Sequence, residues 1–150
     1  MRRLKGLPLH HIDTSILLEP INTENGRYCR RYLQKVGYNY AGKISFPVLS
    51  EIQAIMLSVD DYSLRQDSIE TLYHLIRNRK IRFYAPKFTA PIIIKIRDID
   101  KRIDPLDREI LTCAIEDKAD VFVTLDKKLI NNKTIEELFR IKIMHPKELV

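Results

Sequence analysis

Four carboxylates of this chain stand where a predicted strand ends or early in a predicted helix. Asp13 follows the apolar run LHHI, Asp126 follows VFVTL, Asp107 lies in the first turn of one helix, and Glu51 lies in the second turn of another. Carboxylates gathered in one place repel one another unless a cation neutralises them. Oxygen ligands of this kind suit Mg²⁺ or Mn²⁺. The pattern therefore predicts one divalent-metal site.

Two of these carboxylates also have a simpler structural role available to them. Asp13 stands directly before Thr14 and Ser15, where an aspartate can cap a short helix, and Asp126 can do the same for the turn DKKLI. For either aspartate taken alone, a capping role is as good an explanation as a role in a metal site. However, two apolar strands each end at an aspartate, and parallel neighbours would bring such ends together. This coincidence favours a functional site.

The helical carboxylates have alternatives as well. Asp104, Pro105 and Asp107 make a competent helix start without any metal, with Asp104 as the expected cap. Asp107 would then point from the first turn toward the strand ends. Glu51 lies beside Ile52 on a helix with a buried face, where an unpaired carboxylate is costly. A buried salt bridge is the alternative to metal binding for Glu51.

Other reactive side chains give weaker signals. His10 and His11 precede Asp13, but adjacent strand residues face opposite ways, so at most one could reach the site. Cys29 and Cys113 lack the spacing of a zinc or redox motif, and we expect two buried, reduced thiols. The sequence has no phosphate-binding glycine loop, no GxSxG and no HExxH, so NTP hydrolysis, acyl transfer and zinc proteolysis lack support.

Composition predicts a single soluble domain over residues 1–150, with a cytoplasmic location. No apolar run approaches the roughly 18 residues of a membrane span, and the N-terminus lacks the apolar region of a signal peptide. Lys and Arg number 26 against 20 Asp and Glu, which gives a net charge of +6. This excess favours an anionic partner such as nucleic acid. An acidic pocket on a basic body suits metal-assisted chemistry on a phosphate backbone.

Tyrosines alternate with basic residues between positions 27 and 43. Such a mixture could stack bases and contact phosphates. Core or interface contacts are the alternative, and we favour them for Tyr28 and Tyr32. The residues are Tyr28, Tyr32, Tyr38 and Tyr40 among Arg27, Arg30, Arg31, Lys35 and Lys43.

Apolar periodicity predicts a three-layer α/β/α sandwich with a mainly parallel sheet. The order is β-α-α-α-β-α-α-β-α-β, which counts neither the short helix 14–18 nor the β-branched and aromatic run KISFP. The predicted strands are LHHI, IRFYAP, VFVTL and IKIMH. The predicted helices cover 14–18, 22–36 with Gly37 as its cap, 48–57, 59–80, 88–103, a stretch opening at Asp104, and TIEELF.

Taken together, HHIDTSILLE, VLSEI, DREILTCA and VFVTLDKKL resemble the PIN-domain nucleases over essentially the whole chain. The resemblance implies an α/β/α sandwich with an acidic Mg²⁺ or Mn²⁺ pocket that hydrolyses single-stranded or structured RNA. It makes Asp13, Glu51, Asp107 and Asp126 the catalytic and metal-binding set. Thr14, Ser15 and Thr124 become supporting polar groups. Arg108, Lys127, Lys128 and Lys133 lie near the predicted site and could hold the RNA backbone, with solvated surface charge as the alternative.

The family resemblance leaves three functions open. The first is a toxin ribonuclease of the VapC kind, restrained by a small antitoxin protein. The second is a PIN nuclease of rRNA or tRNA processing. The third is a catalytically silent PIN module that scaffolds RNA or protein, although such a module has no reason to keep carboxylates that repel RNA. A homodimer is also implied, with the helices over 22–36 and 59–80 as candidate contact surfaces.

Overall fold

The computed structural model describes residues 6–78, 80–87 and 89–150 of the chain. The strands are β1 Leu9–Ile12, β2 Ala41–Ser45, β3 Ile81–Tyr84, β4 Val121–Val123 and β5 Lys142–Met144. The helices are α1 Thr14–Leu18, α2 Glu24–Leu33, α3 Phe46–Ser58, α4 Tyr62–Arg77, α5 Ala90–Ile99, α6 Pro105–Glu116 and α7 Lys133–Phe139, followed by a 3₁₀ turn over Pro146–Leu149. None of the described helices combines the length and apolarity that a membrane crossing requires.

The sheet reverses its strand order at β1. Its five strands lie in the order β3-β2-β1-β4-β5, and every described pairing is parallel. β2 therefore lies on one side of β1 and β4 on the other. In open parallel sheets of this kind the crevice for a ligand opens beyond the carboxyl ends of the strands, where the order reverses. This topology confirms the predicted α/β/α sandwich.

The two histidines of β1 show how the layers lie. His10 stacks on Tyr40 with ring centroids 4.3 Å apart and hydrogen-bonds the hydroxyl of Tyr32 in α2. His11 points to the opposite face, where its Nε2 lies 2.8 Å from Asp117 at the end of α6. Because side chains alternate along a strand, α2 and α6 cover opposite faces of the sheet. Asp13 has the parity of His11 and so belongs to the α6 side.

The run KISFP contains a strand that the predicted order omitted. Residues Ala41–Ser45 form β2, which pairs with β1 on one side and β3 on the other. The same run also starts α3, with Pro47 in its first turn, where proline is well tolerated. Short strands leave a weak periodic signal, and this one runs directly into a helix. Pairing with two neighbours makes it a strand.

Two predicted helices are shorter than their sequence pattern. The helix predicted over 22–36 ends at Leu33, and Gly37 adopts φ +85° in the following turn rather than capping the helix. The helix predicted over 88–103 begins at Ala90 and ends at Ile99. Its end is set by Asp100, whose carboxylate accepts hydrogen bonds from the backbone and guanidinium of Arg102. Residue 88 lies outside the described residues.

The helix predicted over 59–80 is confirmed in type but shorter. It is α4, Tyr62–Arg77, and residue 79 is not described. The predicted thiols are also confirmed, because Cys29 and Cys113 are buried and unpaired with each other. Two of the tyrosines considered for base stacking, Tyr32 and Tyr40, are buried in the core. Their burial, in contrast to the exposed Tyr38, depends on tertiary contacts that the sequence pattern does not reveal.

Gly26 determines how closely α2 approaches the preceding loop. A Cβ at residue 26 would overlap the carbonyl oxygen of Pro20 and lie 2.9 Å from the hydroxyl of Thr23. That hydroxyl caps α2 by accepting a hydrogen bond from the Gly26 amide. The close approach thus leaves no space for a side chain.

We expect Gly26→Ala to lower the free energy of unfolding by about 2 kcal/mol, because backbone atoms must shift to relieve the overlap. Urea denaturation followed by circular dichroism measures this change. The control is Gln34→Ala on the exposed end of the same helix, for which a change within about 0.5 kcal/mol is expected. Equal stability of both variants would show that the loop adapts freely.

Candidate active site

Asp13 is a buried carboxylate held by two hydroxyl groups. It lies directly after β1 and is 7 % exposed. Its Oδ2 accepts a hydrogen bond from Thr124 Oγ1 at 2.7 Å and another from Ser15 Oγ at 2.8 Å. Although Asp13 occupies the N-cap position of α1, its side chain makes no capping hydrogen bond. The capping alternative is therefore not realised, and the carboxylate is oriented by hydroxyls instead.

The same two hydroxyls fix the loop that follows β4. Ser15 Oγ accepts the amide of Leu125 at 3.1 Å, and Thr124 Oγ1 accepts the amide of Asp126 at 3.1 Å. Each hydroxyl thus donates to Asp13 and accepts from the loop. These four hydrogen bonds connect the end of β1 to the loop after β4. Asp13 and Asp126 are therefore positioned by the same network.

Asp126 combines a turn role with proximity to the other acids. Its Oδ1 accepts the amide of Lys128 at 2.9 Å, which is the capping role foreseen as an alternative. Its charge also contributes to the raised pKa of Asp107, so it lies within electrostatic reach of the helix start. The turn bond fixes one carboxylate oxygen without excluding the second from a ligand role.

Asp107 shows most directly that the acids gather. It is the third residue of α6 and half-buried. Burial raises its pKa from 3.8 to about 6, and the negative charges of Asp13, Asp126, Glu51 and Asp104 add to the rise, in that order. Mutual repulsion between carboxylates has this sign. All four predicted acids therefore act on one region of the molecule.

Glu51 reaches the site from α3 without a cationic partner. Its charge raises the pKa of both Asp13 and Asp107. Among the residues that the structure describes, Glu51 makes no ion pair, so the salt-bridge alternative is not realised there. Asp104 stands at the N-cap of α6 as predicted, but its side chain makes no capping bond. It remains at the margin of the acidic group.

Burial is the main reason that Asp13 resists ionisation. Desolvation raises its pKa above the ordinary value, the bonds from Thr124 and Ser15 oppose the rise, and the charge of Glu51 adds to it. A divalent cation would reverse this balance by favouring the charged form. The chemistry of the donors therefore fits a hard cation.

The acids are not arranged as a closed metal cage. Within the described ranges, no three His, Cys, Asp or Glu side chains converge closely enough to bind one ion together. Mg²⁺ does not require such a cage, since it is often held by one or two carboxylates and keeps several waters. Asp13 and Asp107 could hold an ion in that way, although the assignment of ligands stays a prediction.

The remaining predicted residues differ in how the fold places them. Thr14 is buried, and its hydroxyl has no hydrogen-bond partner within the described structure. Arg108 donates its Nε to the carbonyl of Ile103 at 2.9 Å, which ties it to the loop before α6. Lys127 and Lys128 are exposed after β4. Their contacts with RNA stay predictions, as does any contact of Ser15 or Thr124 with a substrate.

Sequence reasoning missed a second polar cluster beneath the far end of α6. Asp117 accepts from Lys43 Nζ at 2.8 Å and lies 2.8 Å from His11 Nε2. Burial lowers the pKa of His11, and the neighbouring Asp117 opposes this fall. His11 therefore faces Asp117 instead of the acidic site. The alternation of β1 limited it to one face, but only packing showed that its partner lies at the other end of α6.

The profile of the PIN domain family matches residues 11–134 of the chain. The chain therefore belongs to the PIN domain family. The parallel sheet with helices on both faces agrees with that membership. No curated protein matches the sequence at a significant level.

Several solved structures share this fold at low sequence identity. VapBC2 from Rickettsia felis, solved bound to a promoter DNA fragment, is 17 % identical with a TM-score of 0.65, covering 91 % of this chain and 98 % of its own. VapBC-1 from nontypeable Haemophilus influenzae is 16 % identical with a TM-score of 0.62, covering 93 % and 98 %. FitAcB from Neisseria gonorrhoeae is 14 % identical with a TM-score of 0.62, covering 92 % and 98 %. At such identities the likeness concerns the fold.

Replacing Thr124 with valine should weaken the hydroxyl network while preserving side-chain shape. We expect Thr124→Val to lower the free energy of unfolding by about 1–3 kcal/mol, because Asp13 and the Asp126 amide both lose a buried partner. Thermal denaturation measures the effect. In an Asp13→Asn background the loss should be smaller, since the charge that Thr124 supports is gone. Equal losses in both backgrounds would contradict coupling between Thr124 and Asp13.

The raised pKa of Asp107 predicts a pH dependence of stability in metal-free protein. The folded state holds the proton more tightly than the unfolded chain between about pH 4 and pH 6, so the free energy of unfolding falls as pH rises through that window. Asp107→Asn should therefore stabilise the protein at about pH 8 by about 1 kcal/mol, after allowance for solvent screening of a half-exposed group.

The same substitution should have little effect on stability at about pH 3.5, where Asp107 is protonated in both states. Urea denaturation at the two pH values, with a chelator present, makes the comparison. Asp98→Asn on the exposed surface of α5 serves as the control. A variant that is destabilised at the higher pH would show that Asp107 is held by partners instead of being repelled.

Proposed function

We propose that this PIN-domain protein is a divalent-metal-dependent endoribonuclease, and that it acts as the toxin of a VapBC-type toxin–antitoxin pair. The observation that carries the proposal is the geometry at the carboxyl edge of the sheet, where Ser15 and Thr124 hold the buried Asp13 carboxylate next to the loop that carries Asp126. The charges of Asp13 and Asp126 also contribute to the raised pKa of Asp107, which supports this grouping. Several carboxylates kept together at a cost in stability indicate a role that needs them charged and close. The basic surface of the chain, with a net charge of +6, supports a polyanionic substrate.

The residues of the site divide into holding and orienting roles. Asp13 and Asp107 would hold the Mg²⁺ or Mn²⁺ ion, and Ser15 and Thr124 keep Asp13 aimed at it. When bound, such an ion lowers the pKa of a coordinated water and neutralises charge on the phosphate undergoing attack. Glu51 would complete the acidic set through water. The products expected from attack of water on the phosphorus are a 5′-phosphate and a 3′-hydroxyl.

The cations around the acidic site would hold the RNA backbone. Lys127 and Lys128 lie immediately after Asp126, and Arg108 lies immediately after Asp107. Phosphate contacts of this type position a substrate without reading its sequence. An RNA substrate also favours action in the cytoplasm.

The toxin role draws on the resemblance to VapC proteins and on the solved structures named VapBC that share the fold. A small antitoxin protein is the expected partner of such a toxin, and a homodimer is the expected assembly. Processing of rRNA or tRNA is the nearest alternative within the same chemistry. Growth arrest upon expression, relieved by Asp13→Asn and by co-expression of a neighbouring small gene, would favour the toxin role. Absence of arrest would favour RNA processing.

The central test is the loss of cleavage after removing either proposed metal ligand. Asp13→Asn and Asp107→Asn should each reduce Mn²⁺-dependent cleavage of an RNA pool by at least about 100-fold, since loss of even an outer partner of a metal ligand costs 10–100-fold. Gel analysis with end-labelled RNA measures the rate. Melting temperatures in chelator should stay equal or rise, because each change relieves repulsion.

Asp98→Asn again provides the control, because it neutralises one exposed carboxylate away from the site and should leave cleavage unchanged. Cleavage by Asp13→Asn at the wild-type rate would refute the assignment of the site. If the wild-type protein binds RNA but cleaves none with Mg²⁺ or Mn²⁺, the silent scaffold becomes the better account.

A further inference from the structure

Helix α2 exposes a row of basic side chains along its outer face. Its inward positions, Gly26, Cys29 and Tyr32, are buried. The outward positions are exposed and mostly cationic. Together with the turn that follows the helix they form what we call the α2 stripe, which consists of Arg27, Arg30, Arg31, Lys35 and Tyr38.

The cations of the α2 stripe outnumber the one acid of the helix, Glu24 in its first turn. Within the part of the chain that the structure describes, its four cations make no ion pair. Arg27 and Arg31, like Arg31 and Lys35, are four residues apart, a spacing at which like charges destabilise a helix. The helix dipole accounts for Arg30 and Arg31 in the last turn, but it disfavours Arg27 in the first. An anionic ligand would offset this repulsion.

An exposed aromatic ring extends the α2 stripe. Tyr38 is 69 % exposed, its amide bonds the carbonyl of Lys35 at 3.1 Å, and Lys80 Nζ lies 5.5 Å from its ring centroid. An aromatic ring among cations is the combination that binds single-stranded nucleic acid through stacking and phosphate contacts. The other tyrosines of this region are engaged elsewhere, since Tyr28 packs edge-on against His145 and Tyr32 is buried. Of the four tyrosines considered for base stacking, Tyr38 therefore has the ring that is most accessible to a base.

The α2 stripe leads away from the acidic site. α2 follows α1, which begins next to Asp13, and it must return to the edge where Ala41 of β2 pairs with Leu9. Ten helical residues cover about 15 Å of that path. Because α2 covers the face of the sheet opposite to α6 and Asp13, RNA whose scissile phosphate lies near Asp13 would have to cross the carboxyl edge beside α1 before it could follow α2.

We infer that the α2 stripe binds the phosphate backbone of the substrate RNA beyond the cleavage position, so that the protein favours RNAs long enough to reach both surfaces. This inference rests on the proposed ribonuclease function. Charge complementarity selects the occupant, because the stripe is cationic and the RNA backbone carries one negative charge per phosphate. Contacts between the stripe and the phosphates would increase the affinity for RNA, and the acidic site would hydrolyse the phosphodiester bond.

The test compares two triple variants in an Asp13→Asn background, in which bound RNA stays intact. The first replaces the stripe arginines Arg27, Arg30 and Arg31 with glutamine. The control replaces the exposed residues Lys95, Arg140 and Lys142 with glutamine. Arg140 and Lys142 line a cleft together with the acids Asp120, Glu136 and Glu137. Both variants lose three positive charges, so a general effect of net charge would appear equally in both.

Binding of a stem-loop RNA with a long single-stranded tail is measured by fluorescence anisotropy across a salt series. The stripe variant should bind about tenfold more weakly at low salt, and the slope of log affinity against log salt should become less steep by about 2, as expected for losing about three single-strand phosphate contacts. The control variant should stay within about twofold of the parent. Melting temperatures of the stripe variant should be unchanged or higher, because like-charge pairs are removed.

Equal binding by the stripe variant and its parent would overturn the inference, and so would an equal loss in the control. Stronger competition by duplex DNA than by RNA, acting through the same arginines, would replace RNA with DNA as the ligand of the stripe. A parent that binds no RNA even at low salt would also overturn it.

Cleavage assays with wild-type Asp13 separate this inference from the proposed function. If the ribonuclease proposal and the stripe inference are both correct, the stripe variant cleaves a trinucleotide as fast as the wild type. It cleaves the long RNA more slowly than the wild type when the RNA concentration is low. If cleavage is absent while RNA binding still depends on the stripe, the ribonuclease proposal fails and the stripe survives. If cleavage is normal and binding ignores the stripe, only the stripe fails.

Discussion

Parallel pairing between β1 and β4 is the constraint on which the site depends. The register places Ile12 opposite Val123, so the next residues, Asp13 and Thr124, emerge side by side at the carboxyl edge. The Thr124 hydroxyl then reaches the Asp13 carboxylate at 2.7 Å. A shift of one residue would turn these side chains to opposite faces. Everything else in the acidic group is arranged around this fixed carboxylate.

The electrostatics of the molecule oppose its own stability at this point. Burial alone makes the Asp13 charge costly, and the neighbouring acids raise the pKa of Asp107 to about 6. Hydroxyl groups hold the Asp13 carboxylate, and a backbone amide binds that of Asp126. Arg108, Lys127 and Lys128 lie close by in the sequence, but within the described residues none of them forms an ion pair with the four acids. The repulsion is therefore left in place.

The central strand β1 buries two histidines, His10 and His11, and each finds a hydrogen-bond partner. His10 stacks on Tyr40 and its pKa is lowered to about 4 by burial, whereas His11 shares Asp117 with Lys43. Both histidines are buried, on opposite faces of one strand. Neither approaches the acidic group as a ligand would. Hydrogen bonds on each face satisfy the imidazole rings, so β1 can remain the centre of the sheet.

The sequence predicted most of what depends on local chemistry. A strand end at Asp13, a helix start at Asp104, and buried thiols at Cys29 and Cys113 are written in short segments, and the structure confirms them. The strand predicted to end at Asp126 is shorter, because β4 ends at Val123. Short elements were harder to predict. β2 was omitted because five residues carry little periodicity before α3 begins.

The sequence by itself determined which carboxylates follow strands or open helices, and that order is enough to place the chain among PIN domains. Only the tertiary structure decided that Asp107 and Glu51 act on the same region as Asp13, because their proximity depends on strand order and helix packing across distant segments. It also decided that Tyr38 is exposed while Tyr32 is buried. Local patterns fix the types of residues at the ends of elements, whereas electrostatic coupling and burial arise only where separate elements meet.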